Sequence, residues 1–340
     1  MSSRCELQVN GRVVQARVGD TLVDAGLAGR VLIPHDCCSG QCGSCRVEVL
    51  SGAVDDEGTR EGATVLGCRA RLNGDAAIAF EEVPVPVKRS GQVAAVRPLS
   101  RDILEVVVRL PEAFTYRPGQ YVGLRFAGFP SRDYSPAARL DGTADPRELV
   151  FHIKRLRRGR VSTALGERIR VGHKVQVRGP YGQAFLRPGS GPLVLVAGGT
   201  GFAPIWAIAR EARLTQPERE LIVVAGARDG ANLYMGEALQ WLADTGPVQI
   251  IAACERDAPA GAVPGRPSHY LPLLGPEDTV YVAGSPRLVA AVKTKAQQAG
   301  AACHADPFTP STTAPSLWER LSALLPRWPA AVQASSNSAA

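Results

Sequence analysis

Apolar and polar residues alternate from Glu6 to Asn10 and again from Arg12 to Val18, on either side of Asn10-Gly11, a dipeptide suited to a two-residue hairpin turn. Behind Asp20 the period lengthens to that of a helix, which the pattern ends near Gly29 with Asp20 as its cap. Cys45 to Leu50 reads as a strand, Ser51 to Gly62 as turns and polar connection, and Ala77 to Val83 as a closing strand. These elements predict a small sheet crossed by one helix. The spaced prolines of Val83-Pro84-Val85-Pro86-Val87 then hold the chain extended as a stiff linker.

From Gly91 to about Leu186 short β-branched runs are separated by Pro118-Gly119, Asp141-Gly142 and Gly179-Pro180, which predicts a small antiparallel β-barrel. After Gly191 the pattern is that of parallel α/β structure, with strands at Pro192 to Ala197, Leu221 to Ala225, Val248 to Ala252 and Val280 to Ala283. Helices are predicted after Gly198–Pro204, running through Arg213, and after Gly284-Ser285-Pro286. Near the end, Ser316-Leu317-Trp318-Glu319 has the form of a capping box, and Leu317, Leu321, Leu324 and Leu325 share one face of a short amphipathic helix that stops at Pro326. That face is expected to pack on the protein. The chain is therefore expected to be multidomain, divided into residues 1–84, 88–187, 190–308 and a C-terminal extension over 309–340.

At 340 residues the chain has room for several domains, each large enough to bury a core. No apolar run approaches the ~20 residues that span a membrane, and the N-terminus lacks a basic-then-apolar leader, so a cytoplasmic protein with no membrane partner is expected. Cys5, Cys254 and Cys303 are then expected to be reduced, structural thiols. The net charge of +7 is unevenly placed: residues 1–84 hold 8 arginines and no lysine against 12 acidic residues, a net of −4, and the remainder carries +11. A basic balance suits nucleic acid, but no nucleic-acid motif accompanies it, and cofactor phosphates account for part of the excess.

The most specific chemistry lies between Pro34 and Arg46. Cys37, Cys42 and Cys45 stand as C-x4-C-x2-C, and Cys68 follows at a distance, matching the ligand spacing of a plant-type 2Fe-2S cluster. Three ligands come from one tight loop, in which Ser39, Gly40, Gly43 and Ser44 are small enough for the backbone to wrap a cluster and turn N–H groups toward its sulfurs. Four cysteines could also hold zinc or form disulfides, but zinc sites favour paired C-x2-C knuckles and only one such pair occurs. Cys38 would shorten the first spacing and reads as a neighbour exposed to misligation or oxidation.

With these cysteines, residues 1–84 resemble a plant-type ferredoxin of β-grasp fold, and the resemblance makes Cys37, Cys42, Cys45 and Cys68 the metal ligands. Within the predicted barrel, Arg132-Asp133-Tyr134-Ser135 matches the R-x-Y-S motif of the ferredoxin-NADP reductase superfamily. By that resemblance Arg132 holds flavin phosphates, Tyr134 lies against the flavin ring and Ser135 bonds near the flavin N5 that accepts hydride. Taken alone the motif is equally a strand-edge tyrosine beside a surface arginine. Its neighbours support the first reading: Phe151-His152-Ile153-Lys154, then Gly159-Arg160-Val161-Ser162 opening a short helix whose amides can take a pyrophosphate, so that His152, Lys154, Gly159, Val161 and Ser162 join the candidate flavin site. Arg158-Gly159 replaces the double glycine common in the family, and the basic run from Lys154 to Arg160 could equally be a solvated face or a docking surface.

Gly198-Gly199-Thr200-Gly201-Phe202-Ala203-Pro204 is not G-x-G-x-x-G, yet a glycine turn between strand and helix is what a dinucleotide pyrophosphate requires. It resembles the G-G-T-G-x-A-P of the same superfamily, which makes Gly198, Gly199, Thr200, Gly201, Ala203 and Pro204 nucleotide-binding candidates, together with Arg228 in Gly226-Ala227-Arg228. Gly284, Ser285 and Pro286 correspond to the family's C-G-x-P with Ala283 in place of the cysteine, and Asp306-Pro307-Phe308 to its late D-x-F, where Phe308 would lie near the flavin and yield to nicotinamide.

The order ferredoxin, flavin, nicotinamide resembles the NADH-dependent reductase components of bacterial multicomponent oxygenases, in particular those serving aromatic-ring dioxygenases. The resemblance implies a 2Fe-2S cluster, FAD and NADH, with Ser135 and Phe308 at the hydride-transfer centre and electrons passing to a terminal oxygenase component or a separate ferredoxin. A reductase of this build can instead serve a deoxysugar dehydrase. An electron-transfer subunit that does not use pyridine nucleotide is a further alternative, which Ala283 permits and the intact Gly198–Pro204 loop opposes.

Overall fold

The computed structural model describes residues 3–35, 38–40 and 43–309. Cys37, Cys42 and the helix expected at Ser316 to Pro326 lie outside the described residues.

The first sheet runs β2-β1-β5-β3-β4, built from β1 (Arg4–Val9), β2 (Arg12–Arg17), β3 (Arg46–Asp55), β4 (Thr64–Leu66) and β5 (Arg71–Ala79). The hairpin forms as expected, with Val9 opposite Arg12 and both Asn10 and Gly11 at positive φ, 47° and 83°. Helix α1 (Leu22–Ala28) is capped by Thr21, which accepts from the Asp24 N–H, and not by Asp20, whose carboxylate instead accepts from the Arg17 N–H. Two further expectations are corrected. β3 continues through Ser51 to Asp55, because Gly52 stays paired with Ala76, between two register shifts, and does not turn the chain: its φ is 92° and a Cβ there would stand 2.1 Å from the Asp75 carbonyl oxygen. The last strand is Arg71–Ala79 and not Ala77–Val83, because Leu72, Ala76 and Ile78 are the residues that reach the core, with β5 paired to both β1 and β3.

The second sheet runs β10-β7-β6-β11-β8-β9 with every neighbour antiparallel: β6 (Val87–Pro98), β7 (Ile103–Arg109), β8 (Tyr121–Phe126), β9 (Arg132–Tyr134), β10 (Glu148–Lys154) and β11 (Lys174–Tyr181). Its edges meet where the Ala137 N–H donates to the Val150 carbonyl at 2.8 Å, so the strap from Arg132 to Ala137 closes the barrel over Val106, Val108, Phe126 and Phe151. The helix expected from Gly159 is a series of turns, because the Ser162 hydroxyl takes the Leu156 N–H at 3.1 Å and folds the loop back.

The third sheet is parallel throughout, in the order β15-β14-β13-β12-β16-β17: β12 (Leu193–Gly198), β13 (Leu221–Asp229), β14 (Val248–Arg256), β15 (Val263–Pro264), β16 (Thr279–Gly284) and β17 (Ala302–Pro307). Leu193, Leu195 and Ala197 face α2 (Phe202–Thr215) and α3 (Gly236–Thr245), whereas Val194 and Val196 face α4 (Pro286–Ala299). Both faces are covered, which explains the continuous apolar runs. Helix α3 and strand β17 have weak signals in the sequence: Met235 offers no side-chain cap, and Ala302–Pro307 is half-exposed and partly polar. The core on the α2 side continues into the barrel through Ile103, Ala137, Ala138 and Leu140. The Trp206 indole donates to the Arg139 carbonyl across this boundary at 3.0 Å.

Candidate functional site

The chain leaves β12 for β13 and β14 on one side and returns to β16 on the other, so a crevice opens at the carboxyl ends of β12 and β16, where the strand order reverses. The same tripeptide stands in three neighbouring strands there, ending β12 as Val196-Ala197-Gly198 and β16 as Val282-Ala283-Gly284 and recurring within β13 as Val224-Ala225-Gly226. The register sets Ala225, Ala197, Ala283 and Asp306 in one row, so branched side chains give way to small ones at the rim. The turns beyond that row touch through backbone. A Cβ on Gly201 would lie 2.2 Å from the Ala283 carbonyl oxygen, and one on Gly284, at φ 133°, 2.8 Å from that of Gly198. This close approach leaves a glycine cradle ahead of α2 that suits a nucleotide pyrophosphate.

The barrel strap faces this crevice. The buried Ser135 hydroxyl donates to Asp306 Oδ2 at 3.2 Å, and the Phe308 N–H donates to the Gly284 carbonyl at 2.8 Å. R-x-Y-S, the Gly284 turn and the end of β17 therefore converge, as the candidate residues require. Burial pushes the Asp306 carboxyl up to about 6, against the opposing pull of its bond from Ser135. Tyr134 lies 6.2 Å from the Phe151 ring, and burial raises its phenol to about 12 despite the Arg132 charge. Arg132 is half-buried and donates to the Ser131 carbonyl at 2.7 Å.

The remaining candidates divide. Thr200 and Lys154 are half-buried, whereas Arg228, Ser285 and Pro286 are exposed. Ala203 and Pro204 are buried in the first turn of α2. Val161 is buried in the barrel core, leaving only its backbone for a ligand, and Ser162 is engaged with Leu156 over Gly159, where a Cβ would stand 2.2 Å from the Ser162 hydroxyl oxygen. His152, 4% exposed, turns toward the parallel-sheet domain: its Nδ1 lies 3.1 Å from the Tyr234 hydroxyl, with the rings edge-on at 5.2 Å. Tyr234 had no signal in the sequence beyond its place after Leu233. The Val-Ala-Gly repeat was readable and marks the rim directly.

Burial pulls the His152 imidazole down to about 3, with consequences for stability. Below its ordinary pKa the unfolded chain binds a proton that the folded chain refuses, so stability is lost as pH falls. Between pH 7 and pH 5 this group is expected to cost roughly 2 kcal/mol. In His152→Gln, urea unfolding followed at both pH values should show that much less acid sensitivity.

In the first domain Cys45 is buried, Cys68 packs on the same core, and the Gly67 N–H donates to the Cys45 carbonyl at 2.8 Å, bringing the two cysteine segments together. Cys38, Gly40 and Gly43 have positive φ values of 50°, 80° and 69°, as a backbone wrapping a compact group requires. Among the described residues, Cys45, Cys68 and these left-handed positions fit a 2Fe-2S cluster.

Family descriptions match all three parts of the chain: a 2Fe-2S iron-sulfur cluster binding domain over residues 6–73, an oxidoreductase FAD-binding domain over 90–185 and an oxidoreductase NAD-binding domain over 195–294. The chain is 35% identical to the ferredoxin–NAD(P)+ reductase component of a naphthalene 1,2-dioxygenase system from Pseudomonas putida, over 71% of its own length and 76% of that protein's. It belongs to the ferredoxin–NAD(P)+ reductase components of oxygenase systems. A further reductase component, from a naphthalene 1,2-dioxygenase/salicylate 5-hydroxylase system of a Ralstonia species, is 32% identical over 88% of this chain and 96% of that one. Among solved structures, an Amycolatopsis cytochrome P450 reductase superposes with a TM-score of 0.68 at 30% identity, covering 90% of this chain and 99% of that one. As a member of this family the chain is a multidomain oxidoreductase with 2Fe-2S, FAD-binding and NAD-binding domains. Among the described residues no helix is long and apolar enough to cross a membrane.

Proposed function

We propose that this reductase takes electrons from NADH and delivers them singly to an oxygenase component or its ferredoxin in the cytoplasm, with residues 1–84, 88–187 and 190–308 as the cluster, flavin and nucleotide domains. The balance is one NADH and two oxidised acceptors giving NAD+, a proton and two reduced acceptors. When bound, the flavin supplies the change from a two-electron hydride to single electrons, and the cluster supplies a low-potential one-electron site at about −400 mV.

The observation that carries this reading is the Ser135–Asp306 hydrogen bond, which spans the barrel strap and the nucleotide-side sheet. In this assignment Arg132 and Lys154 provide positive charge for flavin phosphates, with backbone amides around Gly159 to Ser162. Tyr134 and Ser135 line the ring, and Phe308 covers it until nicotinamide enters. Gly198 to Pro204, with Gly284 to Pro286, hold the dinucleotide, and Arg228 lies toward its adenosine end. Cys37, Cys42, Cys45 and Cys68 bind the cluster. The Gly226-Ala227-Arg228 context favours NADH over NADPH.

Anaerobic titration of the purified holoprotein with NADH, and separately NADPH, tests the reading. Flavin bleaching followed by a reduced-cluster EPR signal with NADH is expected; no reduction by either nucleotide overturns it. With the nucleotide bound, an ionised Asp306 at the crevice would favour a cationic nicotinamide over a neutral one. Because the Asp306 carboxyl is raised to about 6, it loses that negative charge as pH falls through this value. Flavin reduction by NADH should therefore slow below about pH 6, and Asp306→Asn should be slower and lack that inflection, as stopped-flow absorbance at a series of pH values would read.

A further inference from the structure

Resting on the function proposed above, we propose that the cluster loop is seated on the flavin barrel by a built docking contact centred on Ser44 and clamped by Glu81, which fixes the path by which electrons reach the cluster. Ser44 precedes the candidate ligand Cys45 and is only 2% exposed, although it is polar and lies on a loop. Its contacts come from the barrel domain. The Gly182 N–H donates to its hydroxyl at 3.2 Å, the Gln183 amide donates to its carbonyl at 3.2 Å, and the Tyr121 hydroxyl lies 3.5 Å away. Gly182, at φ 94°, brings its backbone to the loop where a Cβ would press on the Tyr121 ring at 3.0 Å. Tyr121 precedes Val122, which pairs with Tyr134 of the strap, so the docking contact lies one strand position from the candidate flavin site.

The clamp lies beside the interdomain linker. Glu81 pairs with Arg117 and, at 3.0 Å, with Arg187, while Arg117 also donates to the Glu82 carbonyl at 3.0 Å. The two guanidinium groups lie over the Phe185 ring, 4.7 and 4.2 Å from its centroid. Arg187 further donates to the Gln183 carbonyl at 2.9 Å and meets His304 Nδ1 at 3.2 Å, two residues before Asp306. The charge that holds the first domain thus also fixes the segment bearing Gln183 and reaches the strand at the crevice. Cys38 and Ser39, on the same cluster loop, are exposed. With both groups bound, the transfer this contact would serve is of single electrons between the two domains, with no bond made or broken.

Glu81→Gln and Gln183→Ala in the cofactor-loaded protein test this contact by two independent readouts: amide hydrogen exchange across residues 81–87 and 180–187, and NADH-driven reduction of cytochrome c, which draws on the cluster, against that of ferricyanide, which draws on flavin. Loss of docking should raise exchange about 10-fold and slow cytochrome c reduction about 10-fold, with ferricyanide reduction within about twofold of wild type. Raising salt should move the wild type toward Glu81→Gln. Wild-type exchange and an unchanged ratio of the two activities would overturn the proposal, as would an equal fall in both activities, which would make the residues supports of the barrel. A wild-type protein that reduces neither acceptor would instead sink the reductase reading, while exchange would still report on the contact.

Discussion

Cys45→Ser is expected to lose at least about 100-fold in NADH-driven cytochrome c reduction while ferricyanide reduction stays within about threefold. The argument starts from burial: Cys45 is 2% exposed and packs with Leu22, Val47, Val65 and Leu66, so no solvent ligand can readily replace its thiolate. Serine is nearly isosteric, which spares the core, but its hydroxyl is a poor donor to iron at neutral pH. The flavin and nucleotide sites draw no residue from this segment. Visible absorbance and iron content of the purified variant would establish the missing cluster, and parallel assays with the two acceptors would separate that loss from general damage. A variant that keeps both its cluster and its cytochrome c activity would remove Cys45 from the ligand set.

Gly201→Ala should raise the KM for NADH by about 10-fold or more, because the added methyl meets main chain, which cannot rotate away. Its carbon would stand 2.2 Å from the Ala283 oxygen and 2.4 Å from the Ala283 carbonyl carbon, forcing apart the two turns that form the cradle. Gly199→Ala supplies the contrast. Gly199 has φ 57° and nothing within 4 Å of a Cβ, so its cost is limited to a left-handed alanine, about 1 kcal/mol. Steady-state kinetics of the two variants, with flavin and iron content as controls, should therefore differ sharply although both replace a glycine of the same loop. Equal effects would mean that conformational strain, and not contact with Ala283, governs the loop.

R-x-Y-S was legible through its resemblance to a family motif, whereas the thiolates at fixed spacing and the glycines at a strand-to-helix turn were legible because each imposes a local constraint. The strand periods were legible for the same reason, down to the positive φ at Asn10 and Gly11. Elements whose form is decided by distant partners were not. Gly52 reads as a turn until Asp75 is seen across from it, and Ser162 reads as a helix start until its hydroxyl is found on the Leu156 amide. His152 was marked by its motif, but the partner of its ring, Tyr234, lies 82 residues away and could not be read from it. Asp306 was recognisable, but its shifted carboxyl depends on burial that only the assembled crevice creates.

The barrel and the parallel sheet share one apolar interior, in which Ile103, Ala137 and Leu140 of the former lie with Trp206 and Tyr281 of the latter. A cut between them would leave each half with a greasy scar, so the flavin and nucleotide halves are inheritable only as a pair. The cluster-bearing domain is joined to that pair through polar and ionic contacts around Ser44, Glu81 and the Glu61–Lys293 pair. Among the described residues, that polar seam is where exchange of one electron-storing module for another would cost the fold least.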